Sequence, residues 1–67
     1  MHNHHFLRLV TLYQMQARDA ANGAIHDLIA ASQSEGERSA AFLKSAVLYQ
    51  SLSAQRSMMA RKLMEIE

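Results

Sequence analysis

The chain has no cysteine, no proline and no tryptophan, and it has only two glycines. The absence of cysteine excludes a disulfide framework and any metal site built on thiolates. Because proline and glycine are the residues that most often interrupt helices, long unbroken helices are possible over most of the chain. Seven basic and six acidic residues leave a formal net charge of +1. No strong overall field is therefore available to attract nucleic acid or a membrane surface.

The length of 67 residues and the apolar fraction of 49% are those of one small folded domain, over 1–67. Disordered chains contain fewer apolar residues. No run approaches the roughly 18 continuous apolar residues of a transmembrane helix. The opening segment also lacks the basic, apolar and cleavage-site order of a secretory signal. We therefore expect a cytoplasmic protein without membrane contact.

The first half of the chain has the pattern of one long helix. Good helix formers dominate it, and few of its residues are β-branched. Gly23 lies among small neighbours, which indicates close packing at that point. The apolar residues recur at steps of three and four, the spacing of one helical face, and they are Leu7, Val10, Tyr13, Ala17, Ala21, Ala24, Leu28 and Ala31. The spacing predicts a first helix over about 6–32.

The only polar cluster of the chain covers 32–37 and predicts a turn at about 33–36. Ser34 and Glu37 have the spacing of a capping box, in which each side chain accepts a hydrogen bond from the other residue's backbone N–H. Alternatively, Gly36 closes the first helix in the left-handed conformation. Of the two, the sequence favours the capping box.

The second half, over about 37–65, is apolar around much of its helical circumference. One line of apolar residues contains Ala41, Leu48, Leu52, Met59, Leu63 and Ile66. A second line beside it contains Ala40, Leu43, Val47, Ala54 and Met58. Phe42, Ala46 and Tyr49 border the first line on its other flank. One facing helix cannot cover so wide a surface.

Two long helices with a short connection predict an all-α fold, the antiparallel αα-hairpin. We expect the first apolar line of the second helix to face the first helix, with small residues meeting large ones in most layers. The predicted pairs are Leu28 with Ala41, Ala21 with Leu48, Ala17 with Leu52 and Val10 with Met59.

A single seam between two helices buries too little apolar area to offset the entropy of ordering the chain. The hairpin is therefore predicted to complete its core with a partner chain, or by dimerisation into a helical bundle. Methionine adapts to many partner surfaces, and tyrosine suits the rim of an interface. The predicted partner interface consists of Leu43, Val47, Ala54, Met58, Tyr49 and Met64.

No constellation of residues indicates catalysis, a cofactor or a metal. A two-helix hairpin offers no closed pocket in which a serine nucleophile could be activated, so we expect no enzymatic activity. His2, His4 and His5 have no carboxylate near them in sequence, so we interpret them as part of a polar terminus and not as a metal site. Asp19, Asn22 and His26 share one side of the first helix, and a surface histidine is the favoured interpretation there.

Five basic residues and no acidic residue lie between positions 38 and 64. They are Arg38, Lys44, Arg56, Arg61 and Lys62. In a dimer they could contact the phosphates of RNA or DNA, and this is one function that the sequence leaves open. Solvated charges or contacts to an acidic protein partner are the favoured interpretation, because base-stacking aromatic residues do not alternate with the basic ones.

The plan of the chain, with two helices, a polar turn and an apolar second helix, resembles the small co-chaperones of type III secretion needle subunits. Those proteins pair with a larger helical-repeat chaperone and keep the needle protein unpolymerised in the cytosol. The resemblance covers length and helix plan and assigns no individual residue. It implies a cytoplasmic co-chaperone or adaptor that stabilises another protein. The alternatives are a homodimeric four-helix bundle with a structural or regulatory role, and the nucleic-acid-binding dimer.

Overall fold

A computed structural model describes residues 4–66 of the chain. Helix α1 covers His4–Ser32 and helix α2 covers Gly36–Ile66. No strand occurs within the described range. The helices pack against each other as a rod about two helices wide, with Cα extents of 55 × 14 × 11 Å. The predicted all-α helical hairpin is confirmed.

The contact between α1 and α2, called the seam below, follows a heptad pattern in both helices. Most of the buried and half-buried positions recur at steps of three and four, which is the spacing of a coiled coil. In α1 they are Phe6, Val10, Tyr13, Ala17, Ala20, Ala24, Asp27 and Ala31. In α2 they are Ser39, Phe42, Ala46, Ser53, Arg56, Ala60 and Leu63, with the more exposed Tyr49 in the same series.

The seam is built largely from small residues. Six of its seven buried residues are alanines, and the seventh is Val10. Small side chains let the two backbones come close, so that serine hydroxyls on α2 reach main-chain carbonyls of α1. The Ser53 hydroxyl donates to the Ala17 carbonyl at 2.8 Å, and the Ser39 hydroxyl donates to the Ala31 carbonyl at 2.9 Å. These bonds fix the register of the helices.

Larger side chains fill the layers between the small ones. The guanidinium carbon of Arg56 lies 5.8 Å from the ring centroid of Tyr13, within the range of a cation–π interaction. The ring of Tyr49 lies over Gly23, where a side chain would meet three ring carbons at 3.2 Å. Gly23 is thus explained by packing, as its small neighbours indicated.

The predicted face of α2 is wrong, although the register is nearly right. Ala17 was expected to face Leu52, and it accepts a hydrogen bond from the next residue, Ser53. One residue corresponds to a rotation of about 100° around the helix axis. The predicted facing residues Ala41, Leu48, Leu52, Met59 and Ile66 are consequently exposed, Leu48 by 65% and Ile66 by 77%, while Leu63 remains half-buried at the seam.

The pairing of small with large residues across the seam is overturned for the same reason. Leu28, expected opposite Ala41, is 43% exposed. The buried alanines Ala24 and Ala46 instead occupy the same level of the hairpin. Close backbone approach and two interhelical hydrogen bonds determine which face packs, because large side chains at these positions would hold the helices apart.

The end of α1 is satisfied by its own turn and by α2. The backbone N–H of Gln33 donates to the carbonyl of Ile29, and that of Ser34 donates to the carbonyl of Ala31, both at 3.2 Å. Ala31 also accepts the hydroxyl of Ser39. Helix α2 is therefore anchored to the last turn of α1 within a few residues of its start.

The predicted capping box is not formed. Helix α2 begins at Gly36, so Ser34 lies two residues before the helix and not at its N-cap position. No hydrogen bond between the side chains and backbones of Ser34 and Glu37 occurs within 4–66. Gly36 adopts the left-handed conformation, with φ at 61°. It does so at the start of α2, whereas the sequence placed it at the end of α1.

The contact between Gly23 and Tyr49 predicts a double-mutant effect. Gly23→Ala should leave stability nearly unchanged, because a helix-propensity gain of about 1 kcal/mol is offset by crowding against the ring. In a Tyr49→Ala background the same substitution should raise the melting temperature by about 4–8 °C. Circular-dichroism melts of the two single variants and the double variant measure this. An equal rise in both backgrounds would show that the ring does not lie over Gly23.

Candidate partner-binding surface

Most of the large apolar side chains of this hairpin lie on its outside. Their exposed fractions run from 36% for Leu52 to 77% for Ile66. Isolated exposed leucines are ordinary in proteins, but contiguous apolar patches mark interaction sites. Within the described residues these side chains are Leu7, Leu9, Leu12, Met15, Ile25, Leu28, Ile29, Leu43, Val47, Leu48, Tyr49, Leu52, Met58, Met59, Met64 and Ile66.

One broad side of the hairpin, called the groove face below, carries a long depression between the helices. Its turn-proximal half has a volume of about 350 Å³. That half is lined by Ala21, Ala24, Ile25, Leu28, Gln50, Ser53 and Ala54. Seam residues form its floor, and Leu43 and Val47 occupy adjacent positions of α2 on the same side. The turn-proximal half is therefore largely apolar, with Gln50 and Ser53 as its polar lining residues.

The half of the groove nearer the open end is more polar. It has a volume of about 470 Å³ and is lined by Gln14, Ser57, Ala60, Arg61, Met64 and Glu65. Ala60 is buried in the floor, while Arg61 and Glu65 stand one turn apart on the α2 rim. The two halves follow each other along the same side of the seam. Together they form a slot whose character changes from apolar to charged.

The opposite broad side, called the Tyr49 face, carries a smaller hollow of about 280 Å³. This hollow is lined by Gln16, Asp19, Ala20, Tyr49, Leu52 and Arg56. By helical position, Leu9, Leu12 and Met59 lie on the same side, nearer the open end. The hairpin thus exposes apolar side chains on both broad sides. On the groove face they are concentrated near the turn, and on the Tyr49 face they are concentrated towards the open end.

The structure separates the residues of the predicted partner interface. Leu43, Val47 and Ala54 lie together on the groove face, and Met64 lines the open end of the groove. Met58 lies on the outer edge of α2, directly away from α1. Tyr49 packs on Gly23 in the seam and is open on the other broad side. Four of the six residues therefore share one surface.

The basic residues of α2 do not form one strip. Arg56 is half-buried over Tyr13. Arg61 lines the groove face, whereas Lys62 lies on the side of the Tyr49 face. Lys44 lies on the outer edge, and Arg38 is in the first turn of α2. A phosphate backbone lying along one side of the hairpin could contact only part of this set.

No cluster of three potential metal ligands occurs among the described residues. His4 and His5 are exposed in the first turn of α1, and His2 lies outside the described residues. The set of Asp19, Asn22 and His26 contains only two such groups on one stretch of helix.

Asp27, like Arg56, is a charged residue that the structure puts in the seam, although the sequence interpretation placed neither of them there. It lies near the turn, at the level of Phe42. Its Oδ2 oxygen is enclosed and has no hydrogen-bond partner within 4–66. Burial of an unsatisfied polar group costs about 1–3 kcal/mol, and more when it is charged. We therefore expect the enclosed Oδ2 of Asp27 to weaken the hairpin when it stands alone.

Replacement of Asp27 should stabilise the isolated chain. Asp27→Leu removes the unsatisfied carboxylate and adds apolar volume at a seam position, so we expect the melting temperature to rise by about 4–8 °C. Asp19→Leu, on the exposed side of the same helix, is the matched control and should change it little. Thermal unfolding followed by circular dichroism compares the two. A loss of stability in Asp27→Leu would mean that the carboxylate has a stabilising partner.

The contribution of α1 to the exposed surface is what sequence reasoning missed. Ile25 and Leu28 line the groove beside Ala54 of α2, yet Leu28 was assigned to the seam. A signal was present in the sequence. Small residues recur every seven positions in both helices, and that strict recurrence marks the seam better than the size of the apolar side chains does. The small sets are Ala17, Ala24 and Ala31 in α1, and Ser39, Ala46, Ser53 and Ala60 in α2.

Neither helix contains, within residues 4–66, a stretch that is long and apolar enough to cross a membrane. Comparisons with protein-family models, curated proteins and solved structures find no match to this chain. The groove face and the Tyr49 face are therefore the features from which a function can be inferred.

Proposed function

We propose that this chain is a cytoplasmic helical co-chaperone or adaptor, which stabilises another protein by contributing two helices to a shared core. The observation that carries the proposal is the distribution of apolar side chains, with six alanines and Val10 buried and most leucine, isoleucine and methionine side chains of the described residues exposed. A hairpin arranged in this way gains most of its hydrophobic stabilisation only when another chain covers it.

The composition of the seam supports this dependence on a partner. Alanine buries little apolar area, so a seam in which alanines make up nearly all of the buried residues contributes weakly to folding. The unsatisfied carboxylate of Asp27 lowers that contribution further. The seam sets the geometry of the hairpin, and binding of a partner supplies the stability.

The presence of two apolar faces favours a partner of a different kind over a second copy. A closed two-fold dimer uses the same surface of each copy. Pairing through the groove face would leave Leu9, Leu12 and Met59 of the Tyr49 face in water, and pairing through the Tyr49 face would leave Ile25 and Val47 in water. A larger helical protein can contact both faces of one hairpin.

The proposal agrees with the resemblance to the co-chaperones of type III secretion needle subunits. In that family a small hairpin acts together with a larger helical-repeat protein, which has the curved surface needed to reach two sides of a rod. Within the proposal, the needle subunit and its chaperone are the partner class to examine first. The homodimeric bundle stays the first alternative, and the nucleic-acid-binding dimer is disfavoured by the scattered basic residues.

Native co-purification followed by reconstitution tests the function. A tagged chain purified from its own cells should carry a stoichiometric protein partner, and the reconstituted complex should melt well above the isolated chain, by about 10 °C or more. Binding to heparin above about 0.2 M salt, with a shift of labelled RNA, would favour nucleic acid. If the chain purifies alone as a monomer with a sharp transition at high temperature, the proposal fails.

A further inference from the structure

The groove face has the dimensions and lining of a slot for a third helix. Its floor is made of seam residues with small side chains, such as Ala24, Ser53 and Ala60. A small floor lets another backbone approach closely, and the rims carry larger apolar side chains that would lie along its sides. From Leu28 to Leu7 the slot follows α1 for about 30 Å at 1.5 Å per residue. That length matches a helix of about 20 residues.

Two positive charges flank the slot beyond its apolar half. Arg61 lines it on the α2 rim. Arg18 lies one heptad from Ile25, so it occupies the same side of α1 on the opposite rim. Within the described residues neither arginine has an ion-pair partner, and Glu65 is the only acidic side chain that lines the slot. The hydrogen bonds of Ser53 to Ala17 and of Ser39 to Ala31 put Arg61 level with position 9 of α1. At 1.5 Å per residue the two arginines therefore stand about 13.5 Å apart along the axis.

A second copy of the chain fits this charge pattern poorly. If two groove faces met with their turns at the same end, the two Arg18 side chains would lie at one level of the bundle and the two Arg61 side chains at another, so that like charges would face each other. If the copies ran in opposite directions, the apolar half of each slot, around Ile25 and Val47, would face the charged half of the other. The first arrangement brings like charges together and the second buries charge against apolar side chains, and both effects are destabilising.

We infer that the groove face binds one amphipathic helix of another protein, whose apolar side fills the turn-proximal half and whose acidic residues pair with Arg18 and Arg61. The two acidic residues stand about nine positions apart on that helix, since this spacing spans about 13.5 Å and places them on opposite flanks, towards the two rims. The inference rests on the proposed function, because it names the surface and the chemistry through which the partner is held.

Site-specific photo-crosslinking in the native cells tests this. A benzophenone amino acid replaces Ser57 in the groove, Gln55 on the side of the Tyr49 face, or Ser51 on the outer edge, all polar and exposed. Position 57 should crosslink about tenfold more efficiently than position 51. Sequencing of the crosslinked peptide should identify a segment with apolar residues at steps of three and four and with Asp or Glu about nine positions apart.

Charge reversal in the same assay tests the role of the arginines. Arg18→Glu with Arg61→Glu should reduce the crosslink from position 57 by about tenfold, and the Lys variants should retain it. Circular dichroism confirms that these exposed substitutions leave the helices intact. A crosslink to a second copy, a segment without acidic residues, or no response to charge reversal overturns the inference. If the partner crosslinks only to position 55, the inference about the groove face is overturned while the proposed function stands. If no partner crosslinks to any of the three positions, both the inference and the proposed function are overturned.

Discussion

Ala46→Leu should abolish the packed hairpin in the isolated chain. Ala46 is only 2% exposed and lies at the level of Ala24, which is equally buried. A leucine at this position forces the two backbones apart over the neighbouring layers and weakens the hydrogen bonds donated by Ser39 and Ser53. Overpacking of this kind costs about 1–3 kcal/mol, which is a large share of the stability of so small a protein. Circular dichroism at increasing temperature measures the loss.

Ala41→Leu is the matched control for Ala46→Leu. Both substitutions enlarge an alanine in the same stretch of α2, but Ala41 is exposed. It also belongs to the line that the sequence placed against α1. Ala41→Leu should therefore leave the melting curve nearly unchanged. If Ala41→Leu disrupts the hairpin and Ala46→Leu does not, then α2 is rotated by about 100° from the orientation described above.

Val47→Asp should reduce the affinity for the partner by about 100-fold or more, because burial of an unpaired carboxylate in an apolar interface is strongly unfavourable. Ile25→Asp should have a similar effect, although it lies on the other helix, since the two positions lie on opposite sides of the same groove half. Both residues are more than half exposed in the free chain, so helicity before binding should be unchanged. Titration calorimetry with the reconstituted partner measures the loss.

Ser51→Asp supplies the control for these two variants. It introduces the same charge on the outer edge of α2, away from the groove, and should bind the partner with nearly unchanged affinity. Normal binding by Val47→Asp and Ile25→Asp would show that the groove face is not the site of contact. Loss of binding in all three variants would indicate a general effect on the chain and not a local one.

The sequence was sufficient to predict the architecture of this protein. Helix-forming composition, the lack of proline and one polar cluster predicted two helices and a turn, and the structure has them at His4–Ser32 and Gly36–Ile66. The register was nearly predictable as well, because the short turn restricts which levels of the two helices can meet. These features depend on local propensity and chain connectivity, which a single sequence contains.

The rotation of α2 could not be predicted from apolar periodicity, because α2 is apolar almost all around. Large residues such as Leu48 and Met59 have the most area to bury, and they were therefore expected at the seam. The structure buries Ala46 and Ala60 instead. The backbones approach closely, and the Ser53 hydroxyl donates to a main-chain carbonyl. These are tertiary effects that the pattern of side-chain hydrophobicity does not reveal.

The candidate surface was half predictable for the same reason. Leu43, Val47 and Ala54 were identified because they belong to a second apolar line on α2, which the first helix cannot bury. Ile25 and Leu28 were missed, because Leu28 was assigned to the seam and the predicted interface contained residues of α2 only. Because the packed face was predicted wrongly, residues that lie on the surface were assigned to the core.

This hairpin is proposed to depend on another protein for its stability. The most direct test of that dependence is to record melting curves of the isolated chain over a wide range of protein concentration. Circular dichroism from about 2 to 200 µM distinguishes self-association from marginal stability of a monomer, because only self-association makes the midpoint depend on concentration. We predict a broad transition with a midpoint below about 45 °C, at or under the lower end for mesophile domains, and the same at every concentration. A sharp, concentration-independent transition above about 65 °C, or a midpoint that rises steadily with concentration, would contradict the account.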